Sequence, residues 1–150
     1  MYVKLNNNHQ PESFPYTLSK LRSDNPGTSF PAEISDELLA EYRVYPVTPA
    51  GFPAFDRNTH RLVEGVNLVD NVWTQSWTTV QLAEREAAIN VRANRDRLLS
   101  RSDWTQLSDA PGDTAAWATY REQLRNIPAQ EGFPFTVTWP TEPGSEDEAS

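Results

Sequence analysis

The sequence predicts an α+β fold in which short N-terminal helices accompany a β-hairpin, and a long helix leads into an antiparallel helical hairpin with a terminal extended segment. Three observations support this prediction. Two β-rich runs, residues 61–69 and 72–80, are separated only by Asp70 and Asn71. Residues 81–101 contain neither Gly nor Pro and are dense in Ala, Leu, Glu and Arg, which favours a helix. The first half is rich in proline, so its elements should be short.

Short elements are indicated before the hairpin. Residues 17–22 predict a helical turn, which the breaker run 24–27 ends. Ser35 has the side chain of an N-cap, and the acidic pair at 36–37 follows it where the helix dipole favours negative charge, so a second short helix is predicted. Residues 44–47 predict a brief strand.

The β-hairpin should turn at Asp70-Asn71, because both residue types tolerate the left-handed backbone of a tight turn. On its second arm Trp73 and Trp77 alternate with small polar residues and share one face with Gln75. We expect this face to be the buried one.

The second half predicts two helices. The first, residues 81–101, has a thin apolar stripe that Asn94 interrupts. The second should begin at Asp113 or Thr114 and end at Pro128, since proline cannot continue a helix. A connection of this length makes an antiparallel helical hairpin the simplest arrangement. Alternating apolar residues at 133–139 then predict a final extended segment. The face of the second helix should contain Trp117, Tyr120, Leu124 and Ile127.

These signals divide the chain into an N-terminal α+β module, residues 1–80, a helical-hairpin domain, residues 81–141, and an acidic tail, residues 142–150, which we expect to be disordered. The formal net charge of −8 disfavours nonspecific binding to nucleic acid or anionic lipid. No apolar run has the length of a membrane span or a secretion signal. We therefore expect neither a nucleic-acid partner nor a membrane partner.

The residues carry no recognisable catalytic constellation. The chain has no Cys, which excludes thiolate nucleophiles and Cys-ligated zinc. His9 and His60 lie far apart and lack an acidic or His partner at metal-ligand spacing. Neither a phosphate-binding loop nor a G-x-S-x-G motif is present. Paired carboxylates such as those at 36–37 sit where a solvated helix surface explains them. We expect a protein that is not an enzyme and uses no cofactor or metal.

The long helix is basic although the protein is acidic. Pairing at i,i+4 with nearby acids would account for several of its arginines as ordinary surface charge. Contact with an acidic protein partner is the alternative, for which Arg92 and Arg95 are the candidates, and nucleic acid is a third that the net charge weakens. The arginines are Arg85, Arg92, Arg95, Arg97 and Arg101.

An ordered set of motifs follows the long helix. It consists of Asp103-Trp104-Thr105-Gln106-Leu107, Trp117, Tyr120-Arg121, Leu124-Arg125, Ile127-Pro128 and Trp139-Pro140. This set resembles the phage tail assembly chaperone domain, whose pattern reads D-W-T-Q-L-x-D, then W-x-x-Y-R-x-x-L-R, I-P and a closing W-P. The resemblance covers about residues 81–140. A looser likeness links residues 14–39 to the N-terminal region of phage tail proteins.

The resemblance implies a chaperone that binds a phage tail or tail-fibre polypeptide in the host cytoplasm without nucleotide or catalysis. The alternative is a structural virion subunit of the baseplate or fibre attachment, which would remain in the tail. A peptidoglycan-cleaving enzyme would be a third class, but it would need catalytic residues that the sequence does not display. The oligomeric state is not indicated.

Two groups of residues are candidates for these roles. The first is the structural group of the motif, which should cap the long helix, pack rings across the helical hairpin and pair an arginine with an acid or carbonyl. Direct partner contact by the Trp residues remains an alternative. The structural group comprises Asp103, Trp104, Trp117, Tyr120, Arg121 and Pro128. Exposed aromatic residues with arginine nearby are typical of protein interfaces. The partner-binding candidates on this criterion are Trp73, Trp77, Arg92, Arg95, Phe133 and Trp139.

Overall fold

The computed structural model describes residues 1–144. Within them the fold mixes α and β structure, with two small antiparallel sheets and four α-helices. The acidic run was predicted for residues 142–150, and its residues 145–150 lie outside the described part. In chain order the elements are β1 (Tyr2–Leu5), β2 (Pro11–Tyr16), α1 (Leu18–Asp24), α2 (Asp36–Glu41), β3 (Val44–Pro46), β4 (His60–Val69), β5 (Val72–Gln81), α3 (Glu84–Arg101) and α4 (Thr114–Arg125), with 3₁₀ turns at Asp103–Gln106 and Ile127–Ala129.

The chain forms two compact units. The first comprises Met1–Ala54 and Leu62–Thr79, and the second comprises Phe55–Arg61 and the described residues from Val80 onward. The second unit therefore takes a loop from the middle of the sequence, and that loop is fixed to it where the Leu82 N–H donates to the Thr59 carbonyl at 2.8 Å.

A three-stranded sheet in the first unit corrects the prediction of an N-terminal region built from short helices and one hairpin. β1 is central and pairs antiparallel with β2 and with β3. The sequence analysis assigned no strand before residue 44, because β1 has only four residues and β2 contains Pro11 and Pro15. Proline is tolerated here because β2 is an edge strand.

The two predicted N-terminal helices are confirmed, and so is the predicted N-cap at Ser35. The Thr17 hydroxyl accepts from the Lys20 N–H at the start of α1, and the Ser35 hydroxyl accepts from the Leu38 N–H at the start of α2. Each helix contributes one buried leucine to a shared cluster. The cluster consists of Tyr16, Leu21, Leu39 and Val44.

The predicted hairpin is confirmed as β4 and β5, with Asp70 and Asn71 both at positive φ, 47° and 64°. Thr48 forms a parallel bridge with Thr74 on the side of β5. The Trp face of β5 is the more buried one, since Gln75 is buried and Trp73 packs against a buried cluster of Val3, Leu5 and Val47, which we call the Val3 cluster. The end of the hairpin remains apolar and exposed at Leu68, Val69 and Val72.

The second unit is built around α3 and α4. α3 begins three residues later than predicted, since β5 continues to Gln81. The predicted face of α4 is confirmed, because all four of its residues are buried together with Val91 of α3. The helix ends at Arg125, before the expected stop at Pro128, which lies in the following 3₁₀ turn.

The extended segment predicted at residues 133–139 is not a strand. Residues 131–135 are turns, and the Thr136 N–H donates to the Gly132 carbonyl at 2.7 Å. The side-chain amide of Gln130 bonds to the backbone of Thr138 in the way a neighbouring strand would. It accepts from the Thr138 N–H and donates to the Thr138 carbonyl. The alternating apolar side chains of Phe133, Val137 and Trp139 all pack against the core of this unit instead.

Candidate functional site

Arg121 joins α4 to the C-terminal end of α3. Its side chain is nine-tenths buried, and its guanidinium donates to the Leu99 carbonyl at 2.6 Å, to the Ser102 hydroxyl at 2.7 Å and to Asp103 Oδ1 at 2.8 Å. Carbonyls in the last turn of a helix lack intrahelical partners. A cation placed there satisfies one of them and interacts favourably with the helix dipole.

The four motif residues that follow α3 form a 3₁₀ turn, Asp103–Gln106. Thr105 is buried and fixes the turn, because its hydroxyl donates to the Ser102 carbonyl at 2.6 Å. Asp103 starts the turn while accepting from Arg121. Hydrogen bonds made by Ser102 and Arg121 therefore connect the end of α3, the 3₁₀ turn and α4.

The turn presents an apolar surface formed by Trp104 and Leu107, which we call the Trp104 patch. Trp104 lies edge-on to Trp117 with ring centroids 5.7 Å apart, and Trp117 lies edge-on to Tyr120 at the same distance. The three rings form a row, and the exposed fraction of the residue falls along it from 45% for Trp104 to 9% for Trp117. Leu107 follows the turn, donates its N–H to the Trp104 carbonyl at 3.3 Å and is 61% exposed.

Tyr120 continues the row into the core. Burial raises the pKa of its hydroxyl, and Glu142 raises that pKa further while Arg101 lowers it. Arg101 itself pairs with Glu142 at 3.5 Å, so the described end of the chain lies beside the end of α3. Tyr120 serves as core rather than as an acid or base near neutral pH.

The partner-binding candidates of the second unit are partly engaged in packing. The Arg92 guanidinium lies 5.0 Å from the centre of the Phe133 ring, and Phe133 and Trp139 are half-buried on the core cluster. Arg95 pairs with its neighbour Asp96 at 2.7 Å. Among the described residues no arginine of α3 has an i,i+4 ion pair, so that explanation of the basic helix is wrong. Arg85, Arg92 and Arg97 have no carboxylate within 4 Å in this part of the chain.

The two candidates in the first unit are also half-buried. Trp73 packs on the Val3 cluster, and the Trp77 indole N–H donates to the Ala50 carbonyl at 3.2 Å. The Phe52 ring covers Trp77 at 4.6 Å between centroids and is itself 73% exposed.

Sequence reasoning missed Leu107 as a surface residue and assigned Trp104 to the structural group. No group of three His, Asp or Glu side chains in residues 1–144 is arranged to hold a metal ion. His60 Nδ1 lies 2.9 Å from the Thr59 hydroxyl, and His9 occupies the β1–β2 turn at positive φ.

The described helices include none whose length and hydropathy fit a membrane crossing. No curated protein and no solved structure matches the chain significantly. A family model does match, and the residues it matches include most of α3, the Asp103–Gln106 turn and all of α4. The C-terminal part of the chain, residues 88–144, matches the phage tail assembly chaperone protein family.

Proposed function

We propose that this protein is a phage tail assembly chaperone that binds a tail or tail-fibre polypeptide in the host cytoplasm, without nucleotide hydrolysis or other catalysis. The family match over residues 88–144 carries this proposal, because it supports a role in tail assembly and its chaperone description indicates a non-catalytic protein. The Trp104 patch lies within the matched residues and is the surface we assign to the partner.

The Trp104 patch has the properties of an interface hot spot. Tryptophan is the residue type most enriched in such positions, and covering the exposed half of one ring buries on the order of 100 Å² of apolar area. At about 25 cal/mol per Å² this supplies about 2.5 kcal/mol of binding free energy. The turn is already fixed by Thr105 and Arg121. Little conformational entropy is therefore lost when a partner binds.

Co-expression tests this assignment. Each tail and tail-fibre protein of the same phage would be produced with the wild-type protein, with Trp104→Ala or with Val63→Ala. Val63 is the matched control, because it is an apolar residue of the other unit with 42% exposure, close to the 45% of Trp104. We expect one tail polypeptide to be kept soluble by the wild type and by Val63→Ala, and to be lost with Trp104→Ala. Failure of every tail protein to bind the wild type would remove the proposal.

A structural virion subunit of the baseplate or fibre attachment is the second candidate. The exposed apolar end of the β4–β5 hairpin favours it, since Leu68, Val69 and Val72 would suit a permanent interface. Mass spectrometry of mature virions separates the two functions. Absence of the chain from particles supports the chaperone, whereas presence at a fixed ratio to a tail subunit supports the structural role.

A further inference from the structure

A second site lies away from the Trp104 patch, where the loop Phe55–Arg61 meets α3. The two form an open cleft of about 420 Å³ within the second unit. The described residues that line it are two arginines, three asparagines and one small residue, without a carboxylate among them. The lining residues are Arg57, Asn58, Asn90, Ala93, Asn94 and Arg97.

The loop wall of this cleft is held in place by hydrogen bonds. Asp56 Oδ1 accepts from the Asn58 N–H at 2.8 Å, so the acid nearest in sequence is turned into the loop. The Asp56 carbonyl accepts from the His60 N–H at 2.9 Å. Asn90 of α3 donates its amide N–H to the Asn58 carbonyl at 3.2 Å, which joins the two walls directly. The cleft is therefore a fixed feature of the second unit.

The two arginines of the cleft have no neutralising carboxylate beside them among the residues that the structure describes. Neither Arg57 nor Arg97 has a carboxylate within 4 Å in residues 1–144, whereas Arg95 and Arg101 of the same helix each have one. The Arg57 guanidinium lies 5.8 Å from the centre of the Phe55 ring, and Arg97 donates to Asn94 Oδ1 at 2.8 Å. Both groups are oriented by these neutral contacts and keep further N–H donors for a ligand.

We propose that this cleft binds the carboxylates of an acidic peptide segment of a partner protein. A guanidinium presents N–H groups that match the two oxygens of a carboxylate, and asparagine amides supply further donors between the two charges. Ala93 leaves room between them. Although the protein as a whole has a net charge of −8, a short acidic segment in the cleft meets mainly the positive charge of the two arginines. A long nucleic-acid backbone would also meet the acidic remainder of the surface.

Fluorescence anisotropy with a labelled oligoglutamate peptide at low ionic strength tests the site. The double variant Arg57→Gln/Arg97→Gln removes both charges, and Arg85→Gln/Arg125→Gln removes two exposed arginines that do not line the cleft. We expect the wild type and the second variant to bind alike, and the cleft variant to bind at least about tenfold more weakly. Added salt should weaken wild-type binding. Equal binding by all three proteins would overturn the proposal.

Two further measurements give the result a definite meaning. An oligothymidylate of the same charge should bind more weakly than oligoglutamate. If the oligothymidylate instead binds more tightly, and through the same two arginines, the cleft would be assigned to nucleic acid and the proposal overturned. The inference does not depend on the proposed chaperone function. Trp104→Ala should therefore keep oligoglutamate binding even though it loses the tail polypeptide.

Discussion

The contacts of Arg121 are unequal in burial, and this predicts unequal effects of removing them. The hydrogen bonds from Arg121 to the Leu99 carbonyl and to the Ser102 hydroxyl are shielded from solvent, whereas the Asp103 side chain is 67% exposed. We expect Arg121→Met to lower the free energy of unfolding by about 2 kcal/mol, and Asp103→Asn to lower it by about 0.5 kcal/mol.

The first magnitude follows from three contributions. Hydrogen bonds from a charged donor contribute about 1.5 kcal/mol each at the low end, and the two enclosed bonds therefore contribute about 3 kcal/mol. The low end applies because the Leu99 carbonyl keeps the Ser102 N–H as a partner after substitution. Arg121 Nε is buried and has no hydrogen-bond partner among residues 1–144, and removing it returns about 1 kcal/mol. Methionine retains much of the apolar packing, so about 2 kcal/mol remains.

Urea unfolding followed by the far-ultraviolet helix signal measures both variants, because the two longest helices belong to the second unit. A loss of about 2 kcal/mol corresponds to a midpoint shift of about 1 M at an m-value of about 2 kcal/mol per M. An Asp103→Asn variant as unstable as Arg121→Met would show that the ion pair dominates and would refute the reasoning. A neutral Arg121→Met would refute it as well.

Three other predictions concern side chains with distinct environments. Trp117→Ala should lower the free energy of unfolding by about 3 kcal/mol or more, whereas Trp104→Ala should cost about 1 kcal/mol, which thermal unfolding can compare. Asn71→Val should destabilise the hairpin by about 1–2 kcal/mol because of its positive φ, while Asn71→Gly should be close to neutral. The Tyr16 hydroxyl donates to Asp24 at 2.7 Å and, with help from two lysines, holds the pKa of that carboxyl below its usual range. Since the folded pKa is the lower one, this contribution is present above about pH 4 and is lost as the pH falls through the folded pKa. Tyr16→Phe should therefore show a smaller loss of stability in acid, measured by urea midpoints at neutral and acidic pH.

Local signals in the sequence predicted the parts of the fold that local interactions determine. The predicted cap at Ser35 bonds to an N–H group three residues ahead, and the turn at Asp70-Asn71 depends on two adjacent residues. The N-terminal sheet depends instead on pairing across the chain, with Tyr2 opposite Pro46. No pattern within four residues of β1 indicates which distant segment will complete its hydrogen bonds.

The candidate site was predictable as a set of residues but not as a surface. The motif identified Asp103 and Arg121, and their spacing left open whether the arginine would meet an acid or a carbonyl. The structure shows that it meets both. The cleft at Arg57 had no sequence signal, because it requires the loop at 55–61 to lie against α3.

The two tryptophans of the motif show why residue type alone could not separate structure from function. Trp117 lies on the buried face of α4, where the apolar period requires a large side chain. Trp104 lies on a turn whose direction is set by Arg121 and Thr105, so its ring rests on Trp117 on one side and meets solvent on the other. The contacts by which Arg121 and Thr105 hold the turn do not involve the Trp104 ring, and packing on Trp117 accounts for only part of its surface. The remaining 45% of Trp104 is available to a partner, which is the role that the Trp104→Ala co-expression test examines.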